Sequence, residues 1–239
     1  MTIIRARSVL VSVAVSAACL LVAGCDIASE KPRAAADAKQ APTPPNSTSN
    51  APSTGNSDAD AAFAQGVKFH LGEGQPVDVA KAVEWYTKAA DAGHIGAMKN
   101  LAALYYDGKG GEQNYQKALS LYKRAADAGD VGAMTSVAGI YLDGKGVPQD
   151  YQESLRFYRK AAEQNYPYAQ TGLGLMYRFG WGVKEDPVEA YAWWTLAAKN
   201  GDGFASENLK KLEPQLSTED RERARARSLE LGKAAPKAS

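Results

Sequence analysis

Cysteine and histidine are almost missing from this chain, with two of each in 239 residues. Cys19 lies within an apolar run near the N-terminus, and Cys25 closes that run. If the run is a cleaved export signal, Cys25 is the one remaining thiol. An internal disulfide is then excluded, and the fold stands on packing alone. His70 and His94 fall in no ligand spacing such as His-x-x-x-His, so neither a metal nor another cofactor is expected. Charge of one sign is also lacking. Lys plus Arg number 28 against 27 for Asp plus Glu, a net +1, which argues against electrostatic capture of nucleic acid. No apolar run reaches the roughly 20 residues of a membrane-spanning helix. There is no G-x-S-x-G, and the strings Asp107-Gly108-Lys109-Gly110 and Asp143-Gly144-Lys145-Gly146 lack the spacing of a phosphate loop. Nothing here assembles a nucleophile, a base and an orienting acid, so the chain is not expected to be an enzyme.

What is present begins with Arg5 and Arg7, an apolar stretch from Val9 to Val22, and small residues before Cys25. That pattern is a secretory signal over residues 1–25. The string Leu21-Val22-Ala23-Gly24-Cys25 resembles the lipobox of bacterial lipoproteins, which implies lipidation of Cys25 and attachment to a membrane; a plain cleavage site beside an incidental cysteine is the alternative. Asp26 resembles the inner-membrane retention signal of enterobacterial lipoproteins, so the periplasmic face of the inner membrane is favoured over the outer membrane. Residues 26–57 are mostly Ala, Pro, Ser, Thr, Asn, Lys and Asp, too poor in apolar surface to offset ordering entropy. They read as a disordered tether with a span of roughly 30 Å.

The remainder is periodic. Ala61, Ala97, Ala133 and Ala169 are spaced by 36 residues, as are Phe69, Tyr105, Tyr141 and Tyr177. The glycines Gly72, Gly108, Gly144 and Gly180 keep the same step, as do Gly74, Gly110, Gly146 and Gly182. A fixed period of this size marks a stacked array in which no unit buries its apolar face alone. Within a unit, Ala97, Leu101, Leu104 and Tyr105 form a helical stripe that Gly108 ends, and Asn114 caps a second helix. Asp78, Asp150 and Asp186 occupy the phase of Asn114, and Asp186-Pro187-Val188-Glu189 reads as a capping box. Gly93, Gly129 and Gly201 end the second helix; Asn165 takes that place in the third unit. The expected fold is therefore all-α, an α/α solenoid of four helix-turn-helix repeats over residues 58–94, 95–130, 131–166 and 167–202. A C-terminal capping helix starts at Ser217 within residues 203–231, and a disordered tail runs from Gly232.

The strings LAALYYDGKGGEQNYQKALSLYKRAADAG and LGLMYRFGWGVKEDPVEAYAWWTLAAKNG resemble the Sel-one-like repeat, a relative of the tetratricopeptide repeat. The resemblance covers residues 59–202 and departs most in the first unit, where Gln65 and Lys68 replace aliphatic residues, as a solvent-facing end requires. It implies a scaffold for protein–protein interaction in the bacterial cell envelope, monomeric, with an unidentified protein or peptide partner. The candidate concave binding face is built from three equal-phase sets on the first helix of each unit. These are Val67, Ala103 and Leu175 (with Gly139); His70, Tyr106, Leu142 and Arg178; and Lys99, Thr135 and Thr171. Neutral drift explains their variety equally well. Some cysteine-rich relatives bind or hydrolyse β-lactams, but those carry a disulfide in each repeat. A cell-wall glycan binder is a third reading, with Tyr106 and Trp181 as stacking rings. His94 is expected in an exposed loop. The Arg221, Arg223, Arg225 and Arg227 run, interleaved with acids, reads as a solvated helix face.

Overall fold

The computed structural model describes residues 56–234. The expected lipidation site Cys25, the signal, the tether up to residue 55 and the last five residues of the chain lie outside them.

Side-chain caps start most helices where the sequence places Asp or Asn. Asn56 accepts from Asp58 and Ala59 amides to begin α1 (Ser57–Leu71), and Asp78 accepts from Lys81 to begin α2 (Val79–Asp91). The second unit comprises α3 (Ile95–Asp107) and α4 (Tyr115–Asp127), the latter capped by Asn114. α5 (Val131–Asp143) and α6 (Tyr151–Ala162) form the third, capped by Asp130 and Asp150. α7 (Pro167–Phe179) and α8 (Pro187–Lys199) form the fourth. Gly72, Gly108, Gly144 and Gly180 each end the first helix of a unit in the left-handed conformation. Asn165 is the one non-glycine among the described residues with positive φ, at 62°, at the phase where the sequence places it. The second glycines are less uniform. Gly74, Gly146 and Gly182 have positive φ, but in the second unit Gly111 takes that role and Gly110 does not.

Each hairpin packs on the next in sequence order, giving the four-repeat helical solenoid. Alanines make the close crossings: Ala82, Ala118 and Ala190 on the second helices, with Ser154 at the same phase, are fully buried. Larger side chains fill between layers, among them Met134, Val137, Ile140, Leu173 and Met176. At the C-terminal end, α9 (Gly203–Leu212) and a 3-10 turn (Glu213–Gln215) lead to α10 (Thr218–Ala234). Ser217 Oγ accepts the Asp220 amide at 3.0 Å, so the expected start of this helix holds. The helix packs across α8, with Ala224 and Ser228 buried and Arg227 Nε donating to Glu189 Oε1 at 2.6 Å. Two expectations change here. Gly232 lies inside α10 rather than opening a tail. Glu189 turns to the arginine, while Asp186 alone caps α8 by accepting from the Val188 and Glu189 amides.

Candidate interaction face

The first helices of the units, α1, α3, α5 and α7, carry the ten residues nominated from the sequence. Their floor comes from the second helices. A column of rings, Tyr86, Tyr122, Tyr158 and Trp194, stands at one phase on α2, α4, α6 and α8. Glycines admit these rings: a Cβ at Gly66 would meet Tyr86 Cδ1 at 2.5 Å, and one at Gly172 would meet Tyr158 Cε1 at 2.6 Å. The polar ends of the rings reach the first helices. Tyr86 Oη lies 3.2 Å from His70 Nδ1 and also meets the Asn100 side chain. Tyr122 bonds Ser136, and Trp194 Nε1 donates to the Thr171 carbonyl at 3.2 Å. Burial pushes the Tyr86, Tyr122 and Tyr158 hydroxyls up from their ordinary value, so they stay neutral donors.

The Lys99 set is a joint between repeats. Lys99 Nζ donates to Asp130 Oδ2 at 3.0 Å, and Thr171 Oγ1 donates to Asp202 Oδ2. Asp130 and Asp202 are the caps of the next first helices, α5 and α9, so each bond pins one unit to its successor. Thr135 instead donates to its own helix at Val131 O. At the same phase in the first unit, Phe63 stacks on His94 with ring centroids 4.2 Å apart.

Within the His70 set, Tyr106 is latched by the loop of the following unit. Lys145, from the loop after α5, donates to Tyr106 Oη and sits 4.8 Å over its ring. Asp143 Oδ2 lies 2.9 Å from Lys145 Nζ. Burial opposes the Lys145 charge, but the bonds to Asp143 and Tyr106 outweigh it and push the ammonium up to about 12. Tyr115 meets the Tyr106 ring edge-on at 5.1 Å. Arg178 is held by Glu185 Oε1 at 3.0 Å and Gln215 Oε1 at 3.1 Å. Burial, then the charge of Lys109, holds the His70 imidazole below its ordinary value.

Seven of the ten nominated residues are partly exposed: Val67, His70, Lys99, Ala103, Tyr106, Thr135 and Arg178. Leu142, Thr171 and Leu175 are not available, being only 3%, 5% and 7% exposed. The later units pack more tightly on this side than the first ones do. Trp181, read as a sugar-stacking ring, is buried against Phe179 at 5.0 Å and Tyr151 at 6.2 Å. His94 is corrected as well: it is buried and caps α3, its Nδ1 accepting the Ala97 amide at 3.1 Å. The 36-residue period carried that signal, because residue 94 is in phase with Asp130 and Asp202. The Lys145 latch was not legible, since both partners look like ordinary loop and surface residues.

The Sel1 repeat family model matches the chain four times, over residues 59–94, 95–130, 131–166 and 167–202. A Sel1 repeat protein from Oxalobacter formigenes, known as a crystal structure, is 30% identical with a TM-score of 0.62; the match covers 73% of each chain. A protective antigen of uropathogenic Escherichia coli displaying an SLR fold is 29% identical, with a TM-score of 0.45 over 74% of this chain and 46% of that one. The chain thus spans about half the length of that antigen. An immunity protein from Pseudomonas aeruginosa is 20% identical, with a TM-score of 0.37 over 74% of this chain and 83% of that one. No curated protein matches.

Proposed function

Because the chain belongs to the Sel1 repeat family, we propose that it acts as a non-catalytic scaffold that holds a protein or peptide partner against α1, α3, α5 and α7. The finer reading is that lipid on Cys25 ties it to the periplasmic face of the inner membrane. One observation carries the binding proposal. Partly exposed side chains stand at equal phase on successive helices and are fixed by internal partners, as Tyr106 is by Lys145 and Tyr115, and Arg178 by Glu185. A partner then meets ordered groups and loses little further side-chain entropy on docking. Val67 and Ala103 add apolar contact, and Tyr106 and Arg178 are of the residue types that anchor interfaces. The cations of the face are matched by neighbouring carboxylates, Lys99 by Asp130, Lys145 by Asp143 and Arg178 by Glu185, which favours a partner segment of low net charge.

In-cell crosslinking on fractionated membranes tests both parts. The wild-type chain should crosslink to a discrete partner in the inner-membrane fraction, and Cys25→Ser should move the protein to the soluble fraction. Tyr106→Ala combined with Arg178→Ala should remove that crosslink, by roughly tenfold or more if these are anchors. An unchanged crosslink in the double variant would reject this face, and an unchanged fractionation of Cys25→Ser would reject the anchor.

A further inference from the structure

His94 differs in kind from the other caps of the first helices. Asn56, Asp130 and Asp202 accept through oxygens, which keep their lone pairs across the neutral and mildly acid range. His94 accepts through Nδ1, and an imidazole can do so only while that nitrogen is bare. The acceptor bond therefore fixes the tautomer: the proton is on Nε2, which faces Asp60 Oδ1 at 3.5 Å. The ring has nowhere to turn. It is 6% exposed, stacked on Phe63 of α1, and a Cβ at Gly96 would lie 3.0 Å from its Cε1. Its backbone is held too, by N–H to Ala89 O at 2.9 Å and C=O from the Met98 amide at 3.1 Å.

We propose that His94 is an acid-released pin: neutral, it locks the first repeat onto the second and caps α3; doubly protonated, it drops the cap and loosens α1 and α2 from the rest of the array. The second proton must go on Nδ1, where the new N–H would confront the Ala97 N–H with no acceptor between them. The groups around the ring set the balance. From α1, Asp60 presents a buried Oδ1 that accepts no hydrogen bond and draws the proton in. From α2, Lys88 and Asp91 are exposed, and on α3 Lys99 is occupied by Asp130. Burial is the larger influence and holds the imidazole below its ordinary value of 6.5, against the pull of Asp60. The sign follows. The opened form takes up the proton more readily than the closed one, so the pin is intact above about pH 6.5 and weakens as pH falls below it.

Hydrogen exchange on the full chain, corrected for intrinsic rates, reads this repeat by repeat. Between pH 7.5 and 5, protection over Ser57–Leu71 and the first turn of α3 should fall about fivefold or more, the factor that losing one cap bond produces. The Asp130-capped turn of α5 should not change. His94→Asn supplies an acceptor at every pH, so the pH effect at the first turn of α3 should vanish even if the variant is less stable, and what response is left in α1 belongs to His70. Asp60→Asn removes the charge that favours the second proton in the closed form, so the loss on acidification should be larger than in the wild type while still beginning near pH 6.5. Equal protection of the first repeat at both pH values in the wild type, or the same pH response in His94→Asn, would overturn the proposal. So would an acid loss in Asp60→Asn no larger than in the wild type.

Discussion

At Gly172 a hydrogen in place of a methyl group decides whether two helices fit. The Tyr158 ring lies where a Cβ would stand, with Cε1, Cδ1 and Cζ at 2.6, 2.7 and 2.8 Å. The ring is buried and cannot swing aside as an exposed side chain would. Gly172→Ala should therefore destabilise the protein by about 1–3 kcal/mol, the usual cost of overpacking. The cause is checkable by denaturant titration of the pair. In a Tyr158→Leu background the same substitution should cost much less than in the wild type, and strict additivity would mean the ring is not the obstacle. The sequence shows a glycine on a helical stripe here but not why it is tolerated, because the reason belongs to another helix. The caps, by contrast, need only neighbours a few residues away. That is why Asp78, Asn114, Asp150 and Asp186 could be assigned from the chain alone. His94 fell between the two cases. Its phase was legible, but a histidine is an unusual cap, and the Phe63 stacking that holds it comes from α1, far back in the chain.

Among the elements, α10 has the composition of a solvent-exposed helix and the position of a structural one. Its charged residues conceal a narrow packing edge, Ala224 and Ser228, that lies on α8. α8 differs from its counterparts at the matching places: where α2, α4 and α6 present Lys88, Arg124 and Lys160 to solvent, α8 has buried Leu196. The ion pair between Arg227 and Glu189 is partly exposed and contributes at most about 1 kcal/mol; packing does the larger share. Ending the chain at Gln215 should uncover Leu196, which lies beneath Gly232, and the side of α8 around it. We expect a melting temperature lower by about 5 °C or more, together with binding of a hydrophobic dye. If truncation left both the melt and dye binding unchanged, α10 would be an appendage and not a cap. The need for such a helix was legible from the loss of the glycine period after Gly203, since an array must end in something polar. The helix it would cover was not, because small residues in a charged run give no direction. The same limit applies to the interaction face. Periodicity aligned its ten positions, but the burial of Leu142, Thr171 and Leu175 depends on how closely neighbouring units approach.

Across the four repeats, stability follows from nearest-neighbour interfaces, so the two ends of the array need not be equal. The C-terminal end is closed by α9 and α10. Among the described residues, no repeat precedes the first one to cover its outward side. Ala61 and Lys68 are exposed there, whereas their counterparts Ala97 and Leu104, Ala133 and Ile140, and Ala169 and Met176 are buried. Leu71 and Val77 are 54% and 60% exposed. Trp85 is only partly buried, with Lys88 5.2 Å over its ring, while Leu121, Phe157 and Trp193 at its phase are buried. Unfolding should therefore begin at α1 and α2 and spread toward α8, with the first hairpin opening at lower denaturant than the rest. The four tryptophans report this directly, because Trp85 lies in the first repeat and Trp181, Trp193 and Trp194 in the fourth. At neutral pH, fluorescence of the wild type should show an early change in urea ahead of the main loss of helical ellipticity. In Trp85→Phe the early change should disappear, leaving fluorescence and ellipticity to fall together. Coincident transitions in the wild type would instead mean that the four units unfold as one, and that the bare N-terminal side carries no energetic penalty.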